Sequence, residues 1–122
     1  MYDKKLIQEI IRQTIKASET VLVRFASITA VNDFTESDEG MIKLDSICML
    51  LIAIGEALKN IDKITDNQLL NRYPEINWKG AKSMRDIISH HYFDIDAEII
   101  FQVCDTKIDK LRETLVTMLS DS

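Results

Sequence analysis

Helix breakers are scarce in this chain: one proline and three glycines in 122 residues. Long stretches are therefore free to run as helix. Strict apolar–polar alternation over a strand's length is also missing, which removes the pattern that a half-buried sheet needs. Cysteine is limited to Cys48 and Cys104, both inside apolar helical patterns and neither in a CxxC. That excludes a disulfide scaffold or a cysteine-rich zinc site and reads as two buried free thiols in a reducing cytosol. The most apolar run, "ICMLLIAIG" at 47 to 55, is too short to span a bilayer, which needs about 20 residues. No basic, apolar, small-residue leader opens the chain. The expectation is a soluble, cytoplasmic protein that does not enter a membrane. Positive charge is in deficit, with 15 Lys and Arg against 20 Asp and Glu and a net charge of -5. A broad basic surface for duplex DNA is excluded, while RNA contact at a small local site remains open.

What is present is apolar and periodic. At 46% hydrophobic the chain can bury a core without staples, and its length suits one domain over residues 1–122. Ile7, Ile11, Ile15, Leu22, Phe25 and Ile28 recur at helical spacing after Asp3, a candidate N-cap, and predict a helix to about residue 31. The acidic, turn-rich "NDFTESDEG" reads as a loop. A second helix is predicted from about Met41 to Ile61, apolar on more than one face, as expected of a helix central in its own bundle and shared with a partner. Thr65 and Gln68 have capping-box spacing and predict a short helix over 66–72, ended by Pro74. Asn77 can cap the helix that carries Trp78, Ala81, Met84, Ile87 and Ile88. After "FDID", with Asp94 or Asp96 as cap, one last helix runs to the end. The fold class expected is all-α: an antiparallel bundle of four longer helices plus a short one.

Both histidines lie in "MRDIISHHYFDID", residues 84 to 96. Asp86 and His90 are four apart, so the carboxylate can orient the imidazole. Arg85 and Ser89 form a second such pair. Arg85 and His90 sit about 140° apart around a 3.6-residue helix, which suits a cleft at a dimer seam better than a closed pocket in one copy. An arginine fork fixes a phosphate, and a histidine moves a proton near neutral pH. Together they can cleave RNA without a metal: the 2′-hydroxyl attacks the phosphorus, histidine handles the proton and arginine stabilises the oxyanion. The same residues also suit a plain polar helix C-terminus, where cations meet the last carbonyls. A metal site is disfavoured, because adjacent imidazoles point about 100° apart and no third ligand is spaced to join them.

The run "RDIISHHY" is R-x-x-x-x-H-x-Y, filled by Arg85, His90 and Tyr92. Together with "IGEALKNI" at 54 to 61 and "RYPEINWKGAKSMRDIISHHYFDID" at 72 to 96, it resembles the HepT-like toxins of the HEPN superfamily, over nearly the whole chain. The resemblance implies a helical homodimer with both motif copies at the interface, acting as an endoribonuclease that uses no metal and no cofactor. It further implies a nucleotidyltransferase antitoxin that transfers AMP to Tyr92 and silences the nuclease. By that match Arg85 and His90 become the catalytic pair; Asp86 and Ser89 are supporting residues from their spacing, and His91 reads as a solvent or cap residue, with a supporting role as proton relay the alternative. The family often has asparagine where this chain has Asp86, and a carboxylate there can orient His90 but also repel RNA phosphates. The alternative is a non-catalytic, nucleotide-binding or partner subunit of a nucleotidyltransferase.

Five further residues bear on the site. Glu56 interrupts a greasy helix and needs a partner, inside the bundle or across the dimer; a place beside Arg85 is the sharper reading. Gly55 permits a close helix approach. Trp78 reads as a core anchor. Lys79 and Lys82 are either a solvated face or an attraction for a phosphate backbone.

Overall fold

The computed structural model describes residues 2–91 and 93–122, and among them every regular element is helical. The order is α1 (Lys4–Phe25), α2 (Asn32–Thr35), α3 (Asp38–Thr65), a 3-10 turn (Leu70–Arg72), α4 (Trp78–His90), α5 (Ala97–Thr106) and α6 (Ile108–Asp121). No helix among the described residues is long and apolar enough to cross a membrane.

The caps follow from short polar side chains at the helix starts. Asp3 accepts from the amide of Leu6, Asn77 from Gly80, and Asp96 from Glu98 and Ile99. Each such cap is worth about 1 kcal/mol. The acidic segment read as loop is more ordered than expected. Asp33 accepts from the amides of Thr29 and Ala30 and from the Thr29 hydroxyl. That turn takes the chain out of α1, which ends at Phe25 and not near residue 31. Ser37 then caps α3 by accepting from Gly40, and Asp38 and Glu39 complement the dipole of its first turn. The same acidic residues that suggest a loop thus begin a helix.

At its other end α3 runs on to Thr65, past the predicted stop at Ile61. Thr65 does not open a capping box. Its hydroxyl donates to the Ile61 carbonyl and accepts from the Leu69 amide, and Asp66 closes the helix with φ 54°. The last predicted helix is broken at Lys107 into α5 and α6, with no proline or glycine at the break. Here Thr106 donates to the Gln102 carbonyl at 2.7 Å, a side-chain bond that competes with the backbone ladder and bends helices.

α3 is 28 residues long, about 42 Å at 1.5 Å per residue, and packs against α1, α2, α4 and α5. Ile47, Leu51, Ile54, Leu58 and Ile61 on α3 meet Ile7, Ile11 and Val21 of α1, Ile88 of α4 and Leu115 of α6 in one core. α6 lies antiparallel along α1, with Gln8 bonded to Ser122 and Arg112 beside Glu19. Cys48 and Cys104 are buried free thiols, as expected. α4 has its main packing on α3 alone. Its charged residues Lys82, Arg85 and Asp86 lie along that seam with α3.

Candidate active site

α4 is held in place by its own first turn. Trp78 is buried and donates its indole N–H to the Tyr73 carbonyl at 2.9 Å, anchoring the start of the helix as the sequence suggested. Ile88 is buried at the other end. Between them α4 approaches α3 at Gly55, where an added Cβ would lie 3.0 Å from the Arg85 Cβ and 3.3 Å from the Lys82 carbonyl. Gly55 therefore sets how closely the stem of Arg85 can lie on α3.

Arg85 is half-exposed, and its guanidinium is bracketed by two carboxylates. Nε is 2.7 Å from Glu56 of α3, and Nη1 donates to Asp86 at 2.9 Å. The Asp86 hydrogen bond, with Glu56 in addition, raises the guanidinium's pKa further above neutrality. Asp86 also accepts from Lys59 of α3 at 3.3 Å. Arg85 first and Lys59 second hold its carboxyl below the ordinary carboxylate range. One turn towards the start of α4, Lys82 is paired with Asp62, which is largely buried. Glu56, Lys59 and Asp62 form one stripe of α3 facing Lys82, Arg85 and Asp86 across the seam of two antiparallel helices.

The expectation that Asp86 orients His90 is not met. The two are four apart on a regular helix, yet the carboxyl turns to the seam, where two permanent cations outcompete an imidazole. No side-chain hydrogen bond joins Asp86 to His90 or Ser89 to Arg85 among the described residues; Ser89 and His90 are both exposed at the end of α4. His91 is the C-cap of α4, with Nδ1 3.6 Å from Asp94. Tyr92 lies outside the described residues. The structure thus gathers Arg85, Asp86 and Glu56 and leaves His90 on the same helix but separate. Lys59 was missed by the motif reading because its partner choice depends on how α3 and α4 are placed.

Two recesses flank α4. One is polar, about 290 Å³, lined by Lys59, Asp62, Lys79, Lys82, Ser83 and Asp86. The other is a larger apolar cleft of about 420 Å³ towards α5 and α6, lined by residues such as Met84, Ile87, Ile99 and Val103. The lining of the larger cleft does not include Lys82, Arg85 or Asp86, and its own charged members are Glu75, Lys107 and Lys110. Among the described residues no group of three or more His, Cys, Asp or Glu side chains is placed to hold a metal ion.

A family profile described as "Ribonuclease HepT-like" matches residues 18–118. A protein named as a candidate RNase in Methanocaldococcus jannaschii is 41% identical over 58 residues, 48% of this chain and 45% of that one. A protein named as a probable ribonuclease HepT in Thermococcus cleftensis is 33% identical over 67 residues, 55% of this chain and 57% of that one. The chain spans about half the length of these two curated relatives. A second candidate RNase of M. jannaschii is 27% identical over 99 residues, covering 81% of this chain and 84% of that one. No solved structure matches the chain.

Proposed function

Because this chain belongs to the HepT-like ribonuclease family, we propose that it is an endoribonuclease that works without a metal and is the toxin of a toxin–antitoxin pair. The observation that carries this reading is the coincidence of the family match with Arg85 and His90 on one rigid, partly exposed helix. Arg85 holds the scissile phosphate through its donor fork. His90 takes the proton from the attacking 2′-hydroxyl or returns one to the leaving oxygen, a contribution typically of about 10²- to 10⁴-fold.

Two copies are needed for the site. Arg85 and His90 are five residues apart on α4, about 140° around its axis, and among the described residues no side-chain hydrogen bond joins them. An exposed stripe on α3 supports pairing: Ile42 is 66% and Met49 69% exposed, and Glu56 follows at the same seven-residue interval. Large exposed apolar side chains in register mark an association face. This stripe ends at the partner of Arg85, so a second copy seated on it brings its own α4 to the seam.

Control acts through Tyr92, two residues beyond His90. A nucleotidyltransferase antitoxin transfers AMP from ATP to its hydroxyl, with loss of the hydroxyl proton and release of pyrophosphate, and the added phosphate competes for the guanidinium fork. Two measurements test the reading. Cleavage of single-stranded RNA should persist in excess chelator and vanish in Arg85→Ala and in His90→Ala, with helicity and sedimentation unchanged. Undiminished cutting by both variants would remove the assignment. Intact-mass analysis after co-expression with the antitoxin should show added AMP on the parent and none on Tyr92→Phe. Complex formation without any cleavage would instead favour a non-catalytic partner subunit.

A further inference from the structure

We propose that the polar recess between α3 and α4 is a second phosphate subsite, taking the backbone phosphate that neighbours the scissile one in single-stranded RNA. The subsite rests on the ribonuclease reading and adds to it a place where the strand is held. All six lining side chains are polar or charged: Lys59, Asp62, Lys79, Lys82, Ser83 and Asp86. An apolar ligand or a base seeking a stacking face finds nothing there.

The charge count is uneven in favour of an anion. Three ammoniums face two carboxylates, which leaves one positive charge, matched by one phosphodiester. The chain as a whole carries -5, so this local surplus runs against the molecule's field and has a local cause. The two carboxylates hold the lysines in place. Asp62 is 9% exposed and pins Lys82, and Asp86 draws Lys59 to the seam. An ammonium has three donors, so each paired lysine keeps donors for a ligand. Lys79 is exposed and has no ion pair among the described residues, and it supplies the surplus charge. Ser83 donates its hydroxyl to the Gly80 carbonyl, so the donors left for an anion in the recess are the ammoniums.

Position completes the argument. Lys82 and Lys79 precede Arg85 by three and six residues, about 4.5 and 9 Å along the helix axis. That is the scale of one nucleotide step in an extended strand. A strand whose scissile phosphate lies on Arg85 therefore lays its neighbouring phosphate over the recess.

The test uses full-length His90→Ala protein, which should hold RNA uncut, with and without Lys79→Ala. Lys79 is exposed and its side chain makes no hydrogen bond or ion pair among the described residues, so folding should be untouched. Removing it should weaken RNA binding several-fold at low salt and flatten the slope of log K against log salt by about 0.7, the value for one contact to a single strand. RNAs carrying one neutral methylphosphonate linkage beside the cleavage position should lose the same affinity on the Lys79-containing protein and nothing further on the Lys79→Ala protein. An unchanged slope, or equal loss on both proteins, overturns the subsite even if the parent cuts RNA. If the parent neither binds nor cuts RNA, the ribonuclease reading falls and the subsite falls with it.

Discussion

Arg85 is the residue on which the site turns, and its surroundings qualify it. The guanidinium proposed to hold the phosphate already has Glu56 at 2.7 Å and Asp86 at 2.9 Å. Both carboxylates are about half-exposed, so each pair contributes at most about 1 kcal/mol and yields readily to an arriving phosphate. Glu56→Gln removes one competing charge. In a His90→Ala background it should tighten RNA binding by about two- to fivefold, the equivalent of one exposed ion pair, with folding stability changed by less than about 0.5 kcal/mol. Filter binding and urea denaturation read both, and weaker binding would show that Glu56 aids the phosphate instead of competing with it. This scale also marks the limit of legibility. The spacing of Arg85, Asp86 and His90 was visible in the sequence, but the choice of Asp86 to face Arg85 and Lys59 was not. A four-residue interval states what one helix permits; Lys59 stands on another helix, and only packing brings it near.

Between elements, the α3–α4 seam depends on an absent side chain. Gly55→Ala adds a Cβ that meets the Arg85 Cβ at 3.0 Å. That neighbour is fixed to backbone, so the helices themselves must part. The substitution should cost about 1–3 kcal/mol, the usual range for overpacking, and lower RNA cleavage more than an equally destabilising core change far from α4, such as Leu115→Ala. Equal losses of activity at equal stability would show that helix spacing does not govern the site. α3 also meets α5 in the core, where Cys48 and Cys104 are buried. Burial, with the charge of Asp45, pushes Cys48 up to about 11; burial, with Cys48, pushes Cys104 up to about 12. The folded thiols stay protonated while an unfolded chain ionises near pH 9. Their contribution to stability is whole below that value and is lost as pH rises towards the native ones. Denaturation midpoints should decline from pH 8 to pH 10.5 by less in a Cys48→Ala, Cys104→Ala variant than in the parent, and alkylation at pH 8 should require unfolding. Helix interiors were legible from apolar spacing, and so were the starts capped by Asp3, Asn77 and Asp96, whereas the end of α1, the start of α3 and the break after α5 were not. Ser37, Asp33 and Thr106 decide where α1, α3 and α5 begin and end through single side-chain bonds, which periodicity does not register.

For the whole molecule the question is where the second half of the site comes from. The bundle was legible because breakers are few and apolar residues recur with one period. The proposed pairing rests on exposed residues that the core does not use, among them Ile42 and Met49 at 66% and 69% exposure. A twofold dimer is isologous, so each site takes the same pair of residues from opposite chains. Two inactive proteins should then rescue each other. In a mixture of Arg85→Ala and His90→Ala chains, random pairing makes half the dimers mixed, and each mixed dimer holds one site with both residues and one with neither. Activity should return to about one quarter of the parent's rate, after exchange under mild denaturant and refolding. Met49→Glu in both chains places a charge in the seam of the proposed pair and should abolish the rescue, with sedimentation shifting to the monomer and helicity kept. If the mixture stays inactive although mixed dimers are present, Arg85 and His90 act from the same chain, and the angle between them on α4 must be closed by movement within that chain.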